Sequence, residues 1–257
     1  MTVIRNAQVR VSIASTTEAT GGHRFRATGN CFRSLSRGRA YIAQQNAEAR
    51  VPVGQSTKVG FTSMRPDRRR LALFDRGLRC IGSPETGSCH GWSTLRVATA
   101  EGTVLKRVPD VWEADWAPAQ RLVASRVPDR LSLFSGRNFR TQRVLVEGRK
   151  LFLYEPAVSP NGRLIAVRVG TQHNRYYIGV FSLATGKYLR RLTSGPRDSD
   201  PEWSPDGRRI VFSRNASPCL PPAPCGELFT VRSDRRDEPR SLGVQGVQPT
   251  WGERRDS

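Results

Sequence analysis

Polar residues recur at one position of a repeated motif, three residues before a Trp or a residue in its place. They are Glu113, Glu155, Asp200 and Gln248, and Phe61 interrupts the series. Carboxylates that meet at one rim can bind a ligand or a cation, can hydrolyse glycosides as an acid and base pair, or can simply hydrogen-bond neighbouring strands. Asp198 and Asp200 form the densest acidic spot. The candidate binding residues are therefore Glu113, Glu155, Asp198, Asp200 and Gln248.

The cysteines include two local pairs. Cys80 and Cys89 flank IGSPETGS, and Cys219 and Cys225 flank LPPAP. Both pairs fall in the same loop of their repeats, which favours two disulfides that each add about 2–3 kcal/mol of stability. Free thiols and a metal site are the alternatives, although the spacings are longer than those of typical zinc sites. Cys31 has no local partner.

No catalytic motif of the common hydrolases is present. GWSTL at Gly91 departs from GxSxG at its last position, and no HExxH or phosphate-binding glycine loop occurs. His23, His90 and His173 are far apart in the sequence. We therefore expect no metal and no cofactor.

The chain is strongly basic, with 42 Lys and Arg residues against 22 Asp and Glu residues and a net charge of +20. Only Lys58, Lys106, Lys150 and Lys187 are lysines. Such a charge attracts anionic polymers, but the arginines are scattered, as a compositional bias would also make them. No apolar run is long enough for a transmembrane helix, and no signal peptide is visible.

A repeated segment organises the chain. It reads SMRPDRRRLALF, ADWAPAQRLVAS, PAVSPNGRLIAV, PEWSPDGRRIVF and finally PTWGE. The Trp-equivalent positions are Met64, Trp116, Val158, Trp203 and Trp251, with spacings of 52, 42, 45 and 48 residues. These spacings match one four-stranded propeller blade, and no segment has sustained helical periodicity.

Turn chemistry explains the Pro-Asp-Gly strings. Pro205 sets φ for a turn, Asp206 accepts amide hydrogen bonds, and Gly207 adopts a left-handed conformation. Asn161 and Gly162 predict the same hairpin, whereas the turn at Pro118 lacks such residues. We expect each Trp to pack between neighbouring sheets.

The segments PEWSPDGRRIVF and YYIGVFSLATGK resemble the WD-like propeller repeat of the TolB type. The resemblance covers roughly residues 57–252. It implies a propeller of six blades and a location in the bacterial periplasm. The same repeat also forms the propeller of prolyl-oligopeptidase-like enzymes.

The predicted fold is an all-β propeller of four-stranded blades, five by our count and six by the resemblance. Residues 57–257 form the propeller, and residues 1–56 are a poorly defined segment. We expect the ring to close by pairing the termini, with Val247–Trp251 beside strands near His23, Ala40 and Ala49.

The predicted function is a monomeric, non-catalytic platform that binds a protein or an envelope component. The alternatives are a glycoside hydrolase or lyase that uses the acidic residues, and an anionic-polymer-binding protein that uses the arginines. The paired cysteines indicate an extracytoplasmic protein, while a cytoplasmic one stays open because no signal peptide is visible.

Overall fold

A computed structural model describes the backbone and side chains of residues 69–75, 92–99, 103–126, 129–148, 151–173, 175–195, 197–215, 226–234 and 238–251. For the strands outside these ranges it describes the backbone pairing alone. No helix in this described part is long and apolar enough to cross a membrane.

The described chain is almost entirely β-structure. Its strands, in chain order, are β1 (Val9–Val11), β2 (Cys31–Ser36), β3 (Arg39–Gln44), β4 (Arg50–Gln55), β5 (Val59–Met64), β6 (Arg70–Ile81), β7 (Ser88–Thr99), β8 (Val104–Pro109), β9 (Val111–Ala117), β10 (Arg121–Arg126), β11 (Arg130–Ser135), β12 (Thr141–Glu147), β13 (Phe152–Val158), β14 (Leu164–Gly170), β15 (Tyr176–Ser182), β16 (Tyr188–Arg191), β17 (Asp198–Trp203), β18 (Arg209–Asn215), β19 (Gly226–Arg232), β20 (Arg240–Gln245) and β21 (Pro249–Trp251). A 3₁₀ turn spans Arg137–Phe139.

Sixteen consecutive strands form four antiparallel sheets of four strands each, β5–β8, β9–β12, β13–β16 and β17–β20. We call them blades 1 to 4. Each blade pairs its strands in chain order, as the repeated pattern predicts. The first strands of the blades contact one another in order, β5 with β9, β9 with β13, and β13 with β17. β17 in turn contacts β21. This confirms the predicted all-β fold of four-stranded units.

The strands near the two ends of the chain pair only partly as predicted. β21 pairs antiparallel with β1, so that Val9 lies opposite Trp251. β2, β3 and β4 form a separate three-stranded sheet. The strands expected near Ala40 and Ala49 therefore exist as β3 and β4, but their sheet does not include β21. The segment at His23 lies outside the described residues, and the number of blades in the ring stays a prediction.

The Ser-Pro-Asp-Gly hairpin forms as predicted. Ser204 Oγ donates to Asp206 Oδ1 at 2.6 Å and accepts from the amide of Arg209 at 2.9 Å. Gly207 has a φ of 68°, the left-handed conformation that glycine adopts without steric cost. In blade 2 the same turn places Ala119 and Gln120 at φ near 57°, which is unfavourable for residues that carry a Cβ.

The hydrophobic core lies between blades. One cluster joins blades 1 and 2 around Trp116, a second joins blades 2 and 3, and a third joins blades 3 and 4 around Trp203. Trp203 Nε1 donates to the carbonyl of Ala157 in the preceding blade at 2.9 Å. Trp251 Nε1 donates in the same way to Glu202 at 3.2 Å. The repeated Trp is thus both an inter-blade core residue and a hydrogen-bond donor.

Arginines join the outer strand of one blade to the loop between the third and fourth strands of the next blade. Arg143 on β12 donates to the carbonyl of Ala184 in blade 3 at 2.9 Å. Arg190 on β16 donates to the carbonyl of Ser233 in blade 4 at 2.6 and 3.1 Å. Part of the arginine content therefore has a structural explanation that the scattered sequence positions did not suggest.

Candidate functional site

The candidate residues gather on one face of the described blades. In an antiparallel blade, the first strand begins where the second strand ends. Glu155 and Asp200 lie in the first strands of blades 3 and 4, before the Trp position, and Arg168 and Arg214 lie near the ends of the second strands. We call this side the entry face. The Ser-Pro-Asp-Gly hairpins lie on the opposite side, which we call the turn face.

Glu155 connects blades 3 and 4. Its Oε2 accepts a hydrogen bond from the amide of Asp200 at 2.7 Å, and its Oε1 pairs with Arg168 Nη1 at 2.7 Å. Burial, together with the negative charge of Asp200, raises the pKa of Glu155 to about 7 against the opposing effect of Arg168. Glu155 can therefore gain or lose a proton near neutral pH.

Asp200 repeats this arrangement toward the next unit. Its Oδ2 accepts from Ser213 Oγ at 2.9 Å and from the amide of Gln248 at 3.4 Å. Glu155, Asp200 and Gln248 all adopt a positive φ, between 49° and 53°. Each such residue costs roughly 1–2 kcal/mol. The carboxylates of Glu155 and Asp200 each accept the amide of the residue with positive φ in the following unit, so these positions connect the units to one another.

Glu113 does not share that geometry. It lies in regular register with Ser125, whose Oγ donates to Glu113 Oε2 at 2.8 Å. The residue with positive φ at the start of the first strand of blade 2 is Asp110, directly before β9, at 58°. The register of β9 against β10 shifts between Val111 and Glu113, so the shift precedes Glu113. The equal spacing to the Trp position therefore does not make Glu113 structurally equivalent to Glu155.

Asp198 is completely buried and is not available at the surface of the entry face. Its two oxygens accept from Arg214 Nε at 2.7 Å and Nη2 at 3.2 Å. Gly195 permits this pair, because a Cβ on it would lie 2.5 Å from both Asp198 Oδ1 and Arg214 Nε. Asp198 is thus a structural ion-pair residue.

Two further acidic residues were not selected from the sequence. Asp115 and Glu202 each stand directly before a signature Trp. Asp115 accepts from the amides of Trp116 at 2.8 Å and Val158 at 2.7 Å. Burial raises the pKa of Asp115 to about 6, and burial together with the charge of Asp115 raises that of Glu202 to about 8. An acidic residue directly before the repeated Trp, in ADW and in PEW, is the sequence feature that could have identified both.

Aromatic side chains surround Arg168 on the entry face and were also not selected. The Arg168 guanidinium carbon lies 4.1 Å from the ring centre of Tyr176 and 5.5 Å from that of Tyr154. Phe152 stacks on Tyr154 with a centroid distance of 6.3 Å. Partial burial raises the pKa of the Tyr154 hydroxyl. Such an arrangement can bind a flat ligand face beside a charged group.

The predicted disulfides concern residues whose side chains lie outside the described part. The backbone register places Cys80 directly opposite Cys89 across β6 and β7. Cys219 and Cys225 lie outside the described residues, as does the side chain of Cys31. Among the residues whose side chains are described, no group of three or more His, Cys, Asp or Glu is arranged to hold a metal ion.

Known structures share this architecture. A protein assigned as TolB from Agrobacterium tumefaciens matches with a TM-score of 0.60 at 17% identity, over 83% of this chain and 76% of the other. TolB from Acinetobacter baumannii matches with a TM-score of 0.55 at 18% identity, over 87% of this chain and 54% of the other. The four described blades share the β-propeller architecture of these TolB structures.

The TolB-type fold occurs in enzymes as well. An oligogalacturonate lyase from Vibrio parahaemolyticus matches with a TM-score of 0.58 at 12% identity, over 88% of this chain and 66% of the other. The chain spans about half the length of the Acinetobacter TolB. No protein-family model matches the chain, and no curated protein sequence matches it. Identities this low show the fold alone.

Proposed function

We propose that this protein is a non-catalytic binding platform, and that it binds a protein or an envelope component on its entry face. The observation that carries the proposal is the use of Glu155 and Asp200 as connections between blades. Each carboxylate accepts the amide of the following unit, so the acidic residues hold the entry face in one shape. A rigid rim that presents loops is what recognition by a propeller requires.

A pair of charge reversals in one blade tests the platform. Arg175 is exposed beside β15 on the entry face, and Lys187 is exposed beside β16 on the turn face. With immobilised protein and a solubilised envelope fraction, Arg175→Glu should reduce the captured material at least fivefold, and Lys187→Glu should leave it unchanged. Equal capture by both variants, or no capture by the parent protein, would contradict the proposal.

Acid–base catalysis is the second candidate, because the pKa of Glu155 is raised to about 7 beside the Asp200 carboxylate. Two carboxyl groups in different environments are the usual arrangement for an acid and a base. The lyase of the same fold suggests oligogalacturonate as the trial substrate. Release of new reducing ends that is lost in both Glu155→Gln and Asp200→Asn would establish this alternative.

We place the protein outside the cytoplasm, on the likeness to TolB and on the cysteine pairs. In protein from its native compartment, thiol counting under denaturing conditions should find one free thiol, that of Cys31. Finding all five cysteines free would remove the disulfide support for this location.

A further inference from the structure

One cluster on the entry face belongs to blade 3 alone. Phe152 and Tyr154 lie on β13, Arg168 on β14 and Tyr176 on β15. We call these four residues the ring cluster. The guanidinium of Arg168 contacts both tyrosine rings, and the ring of Phe152 stacks on that of Tyr154.

Gly170 allows the rings to lie side by side. Across the three strands, Phe152 pairs with Gly170, and Gly170 pairs with Tyr176. A Cβ on Gly170 would lie 3.0 Å from the Tyr176 ring and 3.3 Å from Phe152 Cβ. The glycine therefore permits a close approach that any other residue would disturb.

The ring cluster remains accessible although its members contact one another. Phe152 is 36% exposed. The side chains of Arg168 and Glu155 are 26% and 20% exposed. A ligand at this place would meet a flat apolar ring, a guanidinium donor and a carboxylate acceptor together.

The fold does not require this cluster. At the corresponding positions, blade 4 has Arg197 directly before β17, Ser199 on β17 and Gly226 on β19. Blade 4 nevertheless forms the same four-stranded sheet and the same connections to its neighbours.

Blade 4 also has an arginine beside aromatic rings, since the guanidinium carbon of Arg214 lies 4.6 Å from the ring centre of Phe229 and 5.6 Å from that of Phe212. There Phe212 is fully buried, whereas in blade 3 Phe152 is 36% exposed. The fold therefore explains arginine–ring packing in general, and the exposed ring of blade 3 calls for another explanation.

We propose that the ring cluster binds one pyranose unit of an envelope glycan. The C–H face of a pyranose packs on an aromatic ring, while its hydroxyls donate to carboxylates and accept from guanidinium groups. A site of this kind combines an apolar wall with a few well-placed polar groups. This inference rests on the proposed platform, for which it names the ligand class.

Ligand-observed saturation-transfer NMR with N,N′-diacetylchitobiose and with cellobiose tests the site. The parent protein should transfer saturation to at least one of these sugars. Phe152→Ala and Phe152→Leu should each reduce the transfer at least fivefold, because leucine keeps the apolar character but loses the flat ring. Tyr188→Ala is the control, since Tyr188 is 43% exposed on β16 near the turn face. It should bind as the parent does.

Two results would overturn the sugar site. One is the absence of transfer from the parent protein to either sugar, and the other is an equal loss in the Tyr188→Ala control. Envelope capture that persists in Phe152→Ala and is lost in Arg175→Glu would keep the platform and reject the sugar site. No capture by the parent would reject the platform while the purified sugars still report on the ring cluster.

Discussion

Blades 3 and 4 share their framework and differ on the entry face. Both have the Ser-Pro-x-Gly hairpin, both place an acidic residue at positive φ, and both connect through that residue to the next unit. Each blade has an arginine that pairs with a carboxylate and lies beside aromatic rings. In blade 4 the carboxylate of Asp198 and the ring of Phe212 are fully buried, whereas in blade 3 the ring of Phe152 is 36% exposed. The repeat thus accounts for architecture, and the positions where two blades differ are the ones to examine for recognition.

The largest effect should come from the buried ion pair of blade 4. Asp198→Ala leaves Arg214 without its carboxylate between β17 and β18, and we expect a loss of about 3 kcal/mol in the free energy of unfolding. Glu147→Ala removes an exposed partner of Arg130 and should change stability by less than about 1 kcal/mol. Urea unfolding of both variants measures the difference. Equal losses would mean that Asp198 has no special role.

The indole connections should rank second. Trp203→Phe keeps most of the apolar surface but leaves the carbonyl of Ala157 without its donor, at a cost of about 2 kcal/mol. Trp251 is only partly buried, so Trp251→Phe should cost about 1 kcal/mol or less. Thermal unfolding of the two variants compares them. A smaller loss at Trp203 than at Trp251 would show that the hydrogen bond contributes little.

Stability should fall as the pH rises from about 4.5 to 8. Glu155, Asp115 and Glu202 all have a higher pKa in the folded chain than in the unfolded chain, so the folded state binds more protons in this interval. The stabilisation is complete below the unfolded pKa values and is lost through the folded values of about 6, 7 and 8. Urea midpoints at constant ionic strength measure the slope.

Glu155→Gln should flatten this pH dependence, because the amide cannot titrate. Glu147→Gln, at an exposed position, should leave the slope as it is in the parent. A slope unchanged by Glu155→Gln would show that the folded pKa of Glu155 is not raised.

The smallest effect concerns the hairpin of blade 2. Gln120→Gly relieves a positive φ and should stabilise the chain by about 1 kcal/mol. Gly207→Ala makes the opposite change in the well-formed hairpin of blade 4 and should destabilise by a similar amount. Calorimetric melting of both variants checks the signs. Destabilisation by Gln120→Gly would mean that its side chain makes a contact worth more than the strain.

The local features of the fold could be predicted from short stretches of sequence. The turn at Ser204 forms because Pro205, Asp206 and Gly207 favour it through their own backbone preferences. The burial of Trp203 and the four strands of each unit also follow from local patterns. That β21 pairs with the N-terminal region was predicted, but its partner Val9–Val11 was not, because that strand lies in a polar segment without a recognisable strand pattern.

The candidate site was predicted only in part. Glu155 does contact Asp200 across two blades, through the amide of Asp200. Glu113 lacks the positive φ of these two residues, because the register shift between β9 and β10 lies before it. Asp198 was predicted to bind a ligand but is buried in an ion pair with Arg214. Its position relative to the repeated Trp does not show whether the side chain is buried. Arg168 and Tyr176 come together through the register of β14 and β15, and no sequence motif predicts that register.

The sequence by itself determined the repeat, the hairpins and the inter-blade Trp, because these depend on the preferences of adjacent residues and on a fixed period. Only the tertiary structure decided which acidic residues connect blades, which are buried and which titrate near neutral pH. It also decided which aromatic rings gather around Arg168. Those outcomes depend on contacts between residues more than ten positions apart, and such contacts exist only once the sheets have packed together.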